Sequence, residues 1–456
     1  MRRTLAQFAA CGGGELRGSD REFAQVLIDS RRIAAGDLFC ALPGTRTDGH
    51  AFVGQAAAAG AAAALVSQPV PAPLAQIVVP DVAQSLIQAA RAWRGAFRGP
   101  LIGVAGSNGK TTTKEMLAAI LGLRGPCLAT LGNLNNQLGV PLTLMRLTPQ
   151  HVSAVIEMGA NRAGDVEELA AMAAPAIGLI TNAGAEHLEG FGSLEGVARA
   201  EGEMVAALKP EGVAIINADD PFAALWRAMT RARVVSFGLG AEADVRAADL
   251  SLNADERGFV TRFTMHTPVG SVPVELALAG RHNIHNALAA AAAAIAAGAT
   301  LAQVAAGLAS MRAVDGRLQF RSARAGAWLI DDSYNANPSS VQAALDVLAE
   351  LPGRRWLVLG DMAELGEHSE GSHREMGVLA RKAGIERLYS FGSLAALAAE
   401  SFGAGAERFD DMAQLGAALG AAMQGDVRLL VKGSRVNRLE RLVAVLCEAP
   451  PARWAG

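Results

Sequence analysis

The sequence predicts an α/β protein of three domains: a small N-terminal α/β unit, a central unit on a parallel sheet, and a C-terminal doubly wound unit of Rossmann type. Three observations carry that expectation. A chain of 456 residues is too long for one typical hydrophobic core. From residue 99 onward, apolar runs of strand length alternate with helical patterns, as parallel strands joined by crossover helices do. The texture of the chain changes near residues 98 and 310, dividing it into segments 1–98, 99–310 and 311–456.

Composition narrows the function classes. Hydrophobic residues make up 51%, charged residues 19%, and the formal net charge is -3. Such a chain folds compactly and carries no single-sign field that would draw nucleic acid or an anionic membrane. Cys11, Cys40, Cys127 and Cys447 show no CxxC or metal-ligand spacing, so reduced thiols and a cytoplasmic location are expected. The opening "MRRTLAQFAACGGG" has an apolar stretch too short, and broken by Gln7, to serve as a leader. The alanine-rich run from Asn286 to Ala309 is long enough for a membrane span, but alanine is weakly apolar and Gly298, Thr300 and Gln303 interrupt it. Two close-packed buried helices are expected there instead.

Taken in order, "GDLFCAL" is a short strand followed by an alanine-rich helix. The central strands are "LIGVAG", "VSAVIEMG", "AIGLITNAG" and "GVAIINAD", each ending in a turn that leads to a helix. The last segment repeats the pattern with "AWLIDDSYN", "RWLVLGDM", "RLYSFG" and "RLLVKGSR". Open parallel sheets bind ligands beyond the carboxyl ends of their strands. The residues expected at one cleft are therefore the loop 106–109, Glu157, the segment holding His187, and Asp219; the equivalent positions of the last domain are Asp331, Asp332, Asp361 and Lys432.

The chemistry begins at "GSNGKTT", Gly106, Ser107, Asn108, Gly109, Lys110, Thr111 and Thr112, between a strand and a helix. Glycines let successive N–H groups turn to one phosphate, the helix N-terminus adds positive potential, Lys110 reaches the β and γ phosphates, and Thr111 can hold magnesium. The spacing is GxxGK[ST], tighter than the common GxxxxGK[ST], and strand–turn–helix context marks a P-loop ATPase domain. Glu157 ends a strand and His187 lies in a glycine-rich loop after the next one. With Thr111 they could hold a divalent metal, although imidazole is an unusual ligand for magnesium. A solvated carboxylate and a hydrogen-bonded loop histidine are the plain alternatives.

In the helix "SLEGVARAEGEMVAALKP", Ser193 is the expected N-cap, and Leu194, Val197, Ala198, Met204, Val205 and Leu208 form the apolar stripe. Glu201 falls within that stripe, where a carboxylate is costly unless paired or metal-bound. Further on, "GRHNIHN" presents Asn283 and Asn286, for which helix capping is the plain alternative, and "DGRLQ" presents Arg317.

"GSNGKTT", "IEMGAN", "TNAGAEHLEGFGS", "GRHNIHN", "DGRLQ" and "DDSYNANPSS", in this order, resemble the Mur ligase family of ATP-dependent amide-bond-forming enzymes of bacterial cell-wall precursor synthesis. The resemblance spans essentially the whole chain. "DDSYNANPSS" followed by "GDMAELGEHS" points to the branch that joins D-alanyl-D-alanine to UDP-N-acetylmuramoyl-tripeptide through an acyl phosphate. It implies ATP and two magnesium ions, Thr111 and Glu157 serving one and His187 the other. It also implies Asn283 and Asn286 near the adenine, Asp332 near the ribose and Arg317 near the phosphates. Ser30, Arg31, Asp48 and His50 match a uridine-nucleotide domain, and Asn135 and Asn136 the pyrophosphate–muramoyl region. Lys432, Ser434 and Arg435 match positions for peptide or dipeptide carboxylates.

One departure stands out: many members carry a lysine that becomes carbamylated where this chain has Glu201. The expectation is that Glu201 supplies that carboxylate without carbon dioxide. A monomer is expected. Another ligase of the same fold, or an ATP-binding homologue with little turnover, remains as the alternative.

Overall fold

The computed structural model describes residues 3–44 and 47–447. Among them, three sheets form, one in each expected domain. The first orders its strands Glu15–Arg17, Ala75–Val78, Ala63–Val66, Leu38–Cys40 and Val26–Leu27, parallel except for the first pair. Helix Val82–Ala96 leaves it and ties it to the second domain: Trp93 Nε1 donates to Leu147 O at 3.0 Å, and Arg94 Nε to Ala173 O at 2.7 Å. Helix Leu5–Gly12, capped by Thr4, places Cys11 in an ordinary packed helix.

The central sheet has nine strands. From the edge Cys127–Ala129 it runs through Ser153–Glu157, Leu101–Ala105, Ile177–Ile180, Val213–Asn217 and Arg233–Gly238, all parallel. Four of them, Ser153–Glu157, Leu101–Ala105, Ile177–Ile180 and Val213–Asn217, are buried nearly throughout and read as unbroken apolar runs, while the partly buried Cys127–Ala129 and Arg233–Gly238 escape that reading. Beyond them lies a feature that strand–helix alternation did not predict. Val245–Asp255, Gly258–Thr267 and Gly270–Leu276 extend the sheet as an antiparallel meander. Its residues alternate between buried and exposed, a period-two pattern that lacks a connecting helix. The meander reaches the third domain, where Phe259 and Phe320 meet edge to face at 5.9 Å.

The third sheet orders Gln319–Ser322, Trp328–Asp332, Val427–Lys432, Arg354–Gly360, Arg387–Phe391 and Ala406–Phe409, parallel after the first antiparallel pair.

The alanine-rich run forms two helices, Arg281–Ala296 and Leu301–Ser310. No described helix is long and apolar enough to cross a membrane. Both helices pack on the helix that follows the glycine-rich loop, Lys110–Gly122. Small side chains permit that approach: a Cβ at Gly307 would lie 2.6 Å from the Ile120 Cα. Gly307→Val is therefore expected to destabilise the protein by about 1–3 kcal/mol through overpacking, read as a lower melting temperature. An unchanged melting temperature would mean that the helices separate at no cost.

Candidate active site

The loop after strand Leu101–Ala105 is tied down before its helix begins. Gly106 N donates to Glu201 Oε2 at 2.6 Å, Ser107 N to Asn182 O at 2.9 Å, and Asn108 N to Asn182 Oδ1 at 3.0 Å. Gly109 then adopts φ 83°, a left-handed conformation that suits glycine, and a Cβ there would strike Asn286 Oδ1 at 2.2 Å. The N–H groups left to a phosphate are those at the head of helix Lys110–Gly122, where helical geometry gives the first turn no internal partner. Three of the loop's donors build the cradle and the following ones fill it.

Lys110 Nζ folds back on Gly106 O and Ser107 O and sits 3.4 Å from Glu186 Oε1. Burial alone would lower its pKa, but Glu186, Glu201 and Glu157 outweigh burial and hold it above the ordinary lysine value. Glu186 was missed in the sequence, although it directly precedes His187. Only the fold turns it to Lys110.

Glu157, 2% exposed, ends its strand beside the loop. Its Oε1 accepts from Asn135 Nδ2 at 2.9 Å and from Thr111 Oγ1 at 3.3 Å. Its Oε2 is buried and has no hydrogen-bond partner among the described residues. Asn135 thus reaches the carboxylate at the loop, while Asn136 Oδ1 accepts from Leu138 N and Gly139 N in the turn that leads into helix Gly139–Leu144. Lys114, also missed, is fully buried with Nζ 3.9 Å from Glu157 Oε2.

The Thr111 hydroxyl and the Glu157 Oε1 that turns to the loop, beside a phosphate cradle, fit magnesium, whose other positions would fall to phosphate oxygens and water. No group of three or more His, Cys, Asp or Glu surrounds a common metal position among the described residues.

Ser193 caps the next helix as expected, and the apolar stripe is buried apart from Leu194, which is exposed. Glu201 is 1% exposed, and burial pushes its carboxyl up to about 7 against the pull of Lys110. His187, at φ 48°, lies within 2.6 Å of Glu364 from the third domain.

The third domain closes over the loop at another point. Asn337 caps helix Pro338–Ala349 and donates through Nδ2 to Asn108 Oδ1 at 3.0 Å, while Asn108 Nδ2 donates to Ser339 Oγ at 3.1 Å. Both partners belong to "NANPSS".

Other expected residues have found protein partners. Asn283 Nδ2 donates to Ala279 O and Asn286 Nδ2 to Asn283 Oδ1, which sets Asn286 against Gly109 of the loop. Asp219 accepts from Leu239 N, Gly240 N and the His285 ring. Arg317 stacks on Tyr334 at 4.3 Å. Lys432 is buried against Asp332 at 2.5 Å, and Ser434 bonds Ala336 O and Ala363 N, so both are occupied within the third domain. Arg435 is exposed. In the first domain His50 is buried between Asp48 and Ser67 N, while Ser30 bonds Gln55 and Arg31 pairs with Asp29 on the surface.

Three α/β domains, a strand–loop–helix phosphate cradle and a buried carboxylate beside it define a nucleoside-triphosphate-using enzyme whose third domain docks on the phosphate loop. Family models agree over all three parts: the Mur ligase family catalytic domain matches residues 22–94, the Mur ligase middle domain 104–294 and the Mur ligase glutamate ligase domain 316–435. The UDP-N-acetylmuramoyl-tripeptide–D-alanyl-D-alanine ligase of Escherichia coli is 44% identical over 449 residues, 98% of each chain. A crystal structure of MurF from Acinetobacter baumannii superposes with a TM-score of 0.90 at 36% identity, covering 97% of this chain and 98% of that one. MurF from Thermotoga maritima in complex with ADP superposes at 0.80 with 28% identity, covering 92% and 96%. The chain belongs to the Mur ligase family of ATP-dependent ligases.

The Glu201 shift has a measurable consequence. A carboxyl whose pKa is raised on folding contributes stability that is fully present below the ordinary glutamate value and lost as pH rises through about 7. In nucleotide-free enzyme with chelator, wild type is expected to lose on the order of 3 kcal/mol more than Glu201→Gln between pH 5 and pH 8. Thermal melts across that range report it, and parallel profiles would contradict the shift.

Proposed function

We propose that this enzyme joins D-alanyl-D-alanine to UDP-N-acetylmuramoyl-tripeptide at the expense of ATP, in peptidoglycan precursor synthesis. The observation that carries the reading is the docking of Asn337 and Ser339 on Asn108, which sets the head of a third-domain helix against the phosphate loop. An acyl-transfer site between two domains needs that apposition.

In the proposed reaction the terminal carboxylate of the tripeptide attacks the γ-phosphoryl group, giving an acyl phosphate and ADP. The dipeptide amine then adds to the acyl carbon, and the tetrahedral intermediate collapses as its bond to the phosphate oxygen breaks. The N–H groups at the head of helix Lys110–Gly122 orient the phosphates, and Lys110 meets the charge that develops on the transferred group. Thr111 and Glu157 would hold one magnesium ion, with His187 and Glu201 near a second. Bound there, magnesium neutralises charge on the β and γ phosphates. Asn283, Asn286, Asp332 and Arg317 are proposed to frame the nucleotide. Closure of the third domain excludes water from the acyl phosphate, which would otherwise hydrolyse.

The first domain, 1–98, is proposed to bind the uridine nucleotide through the surface that carries Ser30, Arg31 and Asp48. The third, 311–456, would receive the dipeptide, with Arg435 the exposed cation best suited to a carboxylate. Glu201 is proposed to stand in for a lysine carbamate: its carboxylate is buried at the start of the loop and needs no carbon dioxide. A cytoplasmic, monomeric enzyme completes the reading.

Phosphate release from ATP tests it. Release is expected with UDP-N-acetylmuramoyl-tripeptide and D-alanyl-D-alanine together, and not with single amino acids or without amine. Lys110→Met should cut turnover by about 100-fold or more. Release that depends on a single amino acid would assign another branch of the family, and stimulation by bicarbonate would refute the role of Glu201.

A further inference from the structure

Lys114 is the charged residue of the phosphate-loop helix whose burial the reaction above leaves unexplained. It sits one turn into helix Lys110–Gly122 and is fully buried. Lysine is almost never found there unless paired. Its Nζ donates to Thr130 O at 2.8 Å, pairs with Glu115 Oε1 at 2.8 Å and lies 3.9 Å from Glu157 Oε2. Thr130 also accepts from Glu157 N through its Oγ1 at 3.0 Å. One threonine therefore holds both the ammonium and the backbone of the carboxylate residue that the ammonium faces.

The two oxygens of Glu157 live in different surroundings. Oε1 turns to the loop and is shared by Asn135 and Thr111. Oε2 turns inward, buried and without a hydrogen bond, facing Lys114. A buried carboxylate oxygen is costly unless a positive charge compensates it. Rotating the carboxylate to offer both oxygens to the loop would leave the Lys114 charge without that partner.

We propose that Lys114 is a positioning residue that keeps Glu157 one-handed, so that the site offers a single carboxylate oxygen and favours magnesium over calcium. Magnesium demands a near-octahedral shell, keeps several waters and takes one or two carboxylates plus phosphate oxygens. Calcium accepts more ligands and readily takes a carboxylate through both oxygens. This rests on the reading of Glu157 as the carboxylate beside the metal-bound triphosphate.

The test is the affinity of the full-length enzyme for a fluorescent ATP analogue, titrated with magnesium, with calcium and with chelator alone, alongside melting temperatures. Wild type is expected to need magnesium and to respond weakly to calcium. Lys114→Met is expected to narrow the magnesium-to-calcium preference by about 10-fold or more, the scale on which groups behind a metal ligand act. A preference unchanged in Lys114→Met, with only a lower melting temperature, would make Lys114 a packing residue and overturn the proposal. Should that variant fail to fold, Lys114→Gln makes the same comparison, since it retains a donor for Thr130 O and loses the charge. A wild-type affinity indifferent to both cations would overturn the reading of Glu157 itself, and this proposal with it.

Discussion

The site depends on one electrostatic constraint: carboxylates gathered where water is scarce must be held by cations. Glu157 and Glu201 are buried, and Glu186 largely so, around Lys110, with Lys114 behind Glu157. Two ammonium groups against three carboxylates leave an excess of negative charge before any triphosphate arrives. A low dielectric makes that excess expensive. Burial first, and then the charge of Glu186, raise the Glu201 pKa, while the three carboxylates hold Lys110 charged against its own burial. A divalent cation arriving with the nucleotide would relieve the same imbalance, which explains why a site built to bind anions is lined with acids.

The remaining architecture keeps those charges in register. The loop is fastened from beneath by Glu201 and from the side by Asn182, so its free donors need little reordering when phosphate binds. Asn286 sits against the glycine whose left-handed turn aims the helix. The helix in turn rests on two alanine-rich neighbours close enough that a glycine is required at the crossing. Helix dipole, lysine and carboxylates are therefore packed as one unit, and the third domain meets it through Asn337, Ser339 and Glu364.

The reach of Glu201 fixes what it can do at the loop. A lysine carbamate presents a carboxylate at the end of a long side chain, whereas glutamate presents one close to the helix. The shorter reach ends at Gly106 N. The carboxylate thus secures the start of the phosphate loop, a duty that follows from its length.

Much was determined by the sequence alone. Parallel strands buried on both faces are unbroken apolar runs, so four strands of the central sheet and four of the third could be read, whereas Cys127–Ala129, Arg233–Gly238, Gln319–Ser322 and Ala406–Phe409, only partly buried, could not. The glycine-rich loop is a local device, and Gly106 to Thr112 declare it by spacing. The antiparallel meander escaped because no helix connects its strands, so the strand–helix alternation that revealed the others is absent there. Other features were decided only by the tertiary structure, because they depend on groups distant in sequence coming within a few ångströms. Asn135 and Lys114 reach Glu157, Glu186 reaches Lys110, Asn108 meets Ser339, and Lys432 is committed to Asp332. A residue type announces what chemistry it can perform. Burial and neighbours decide which charge it carries and which partner it is left free to bind.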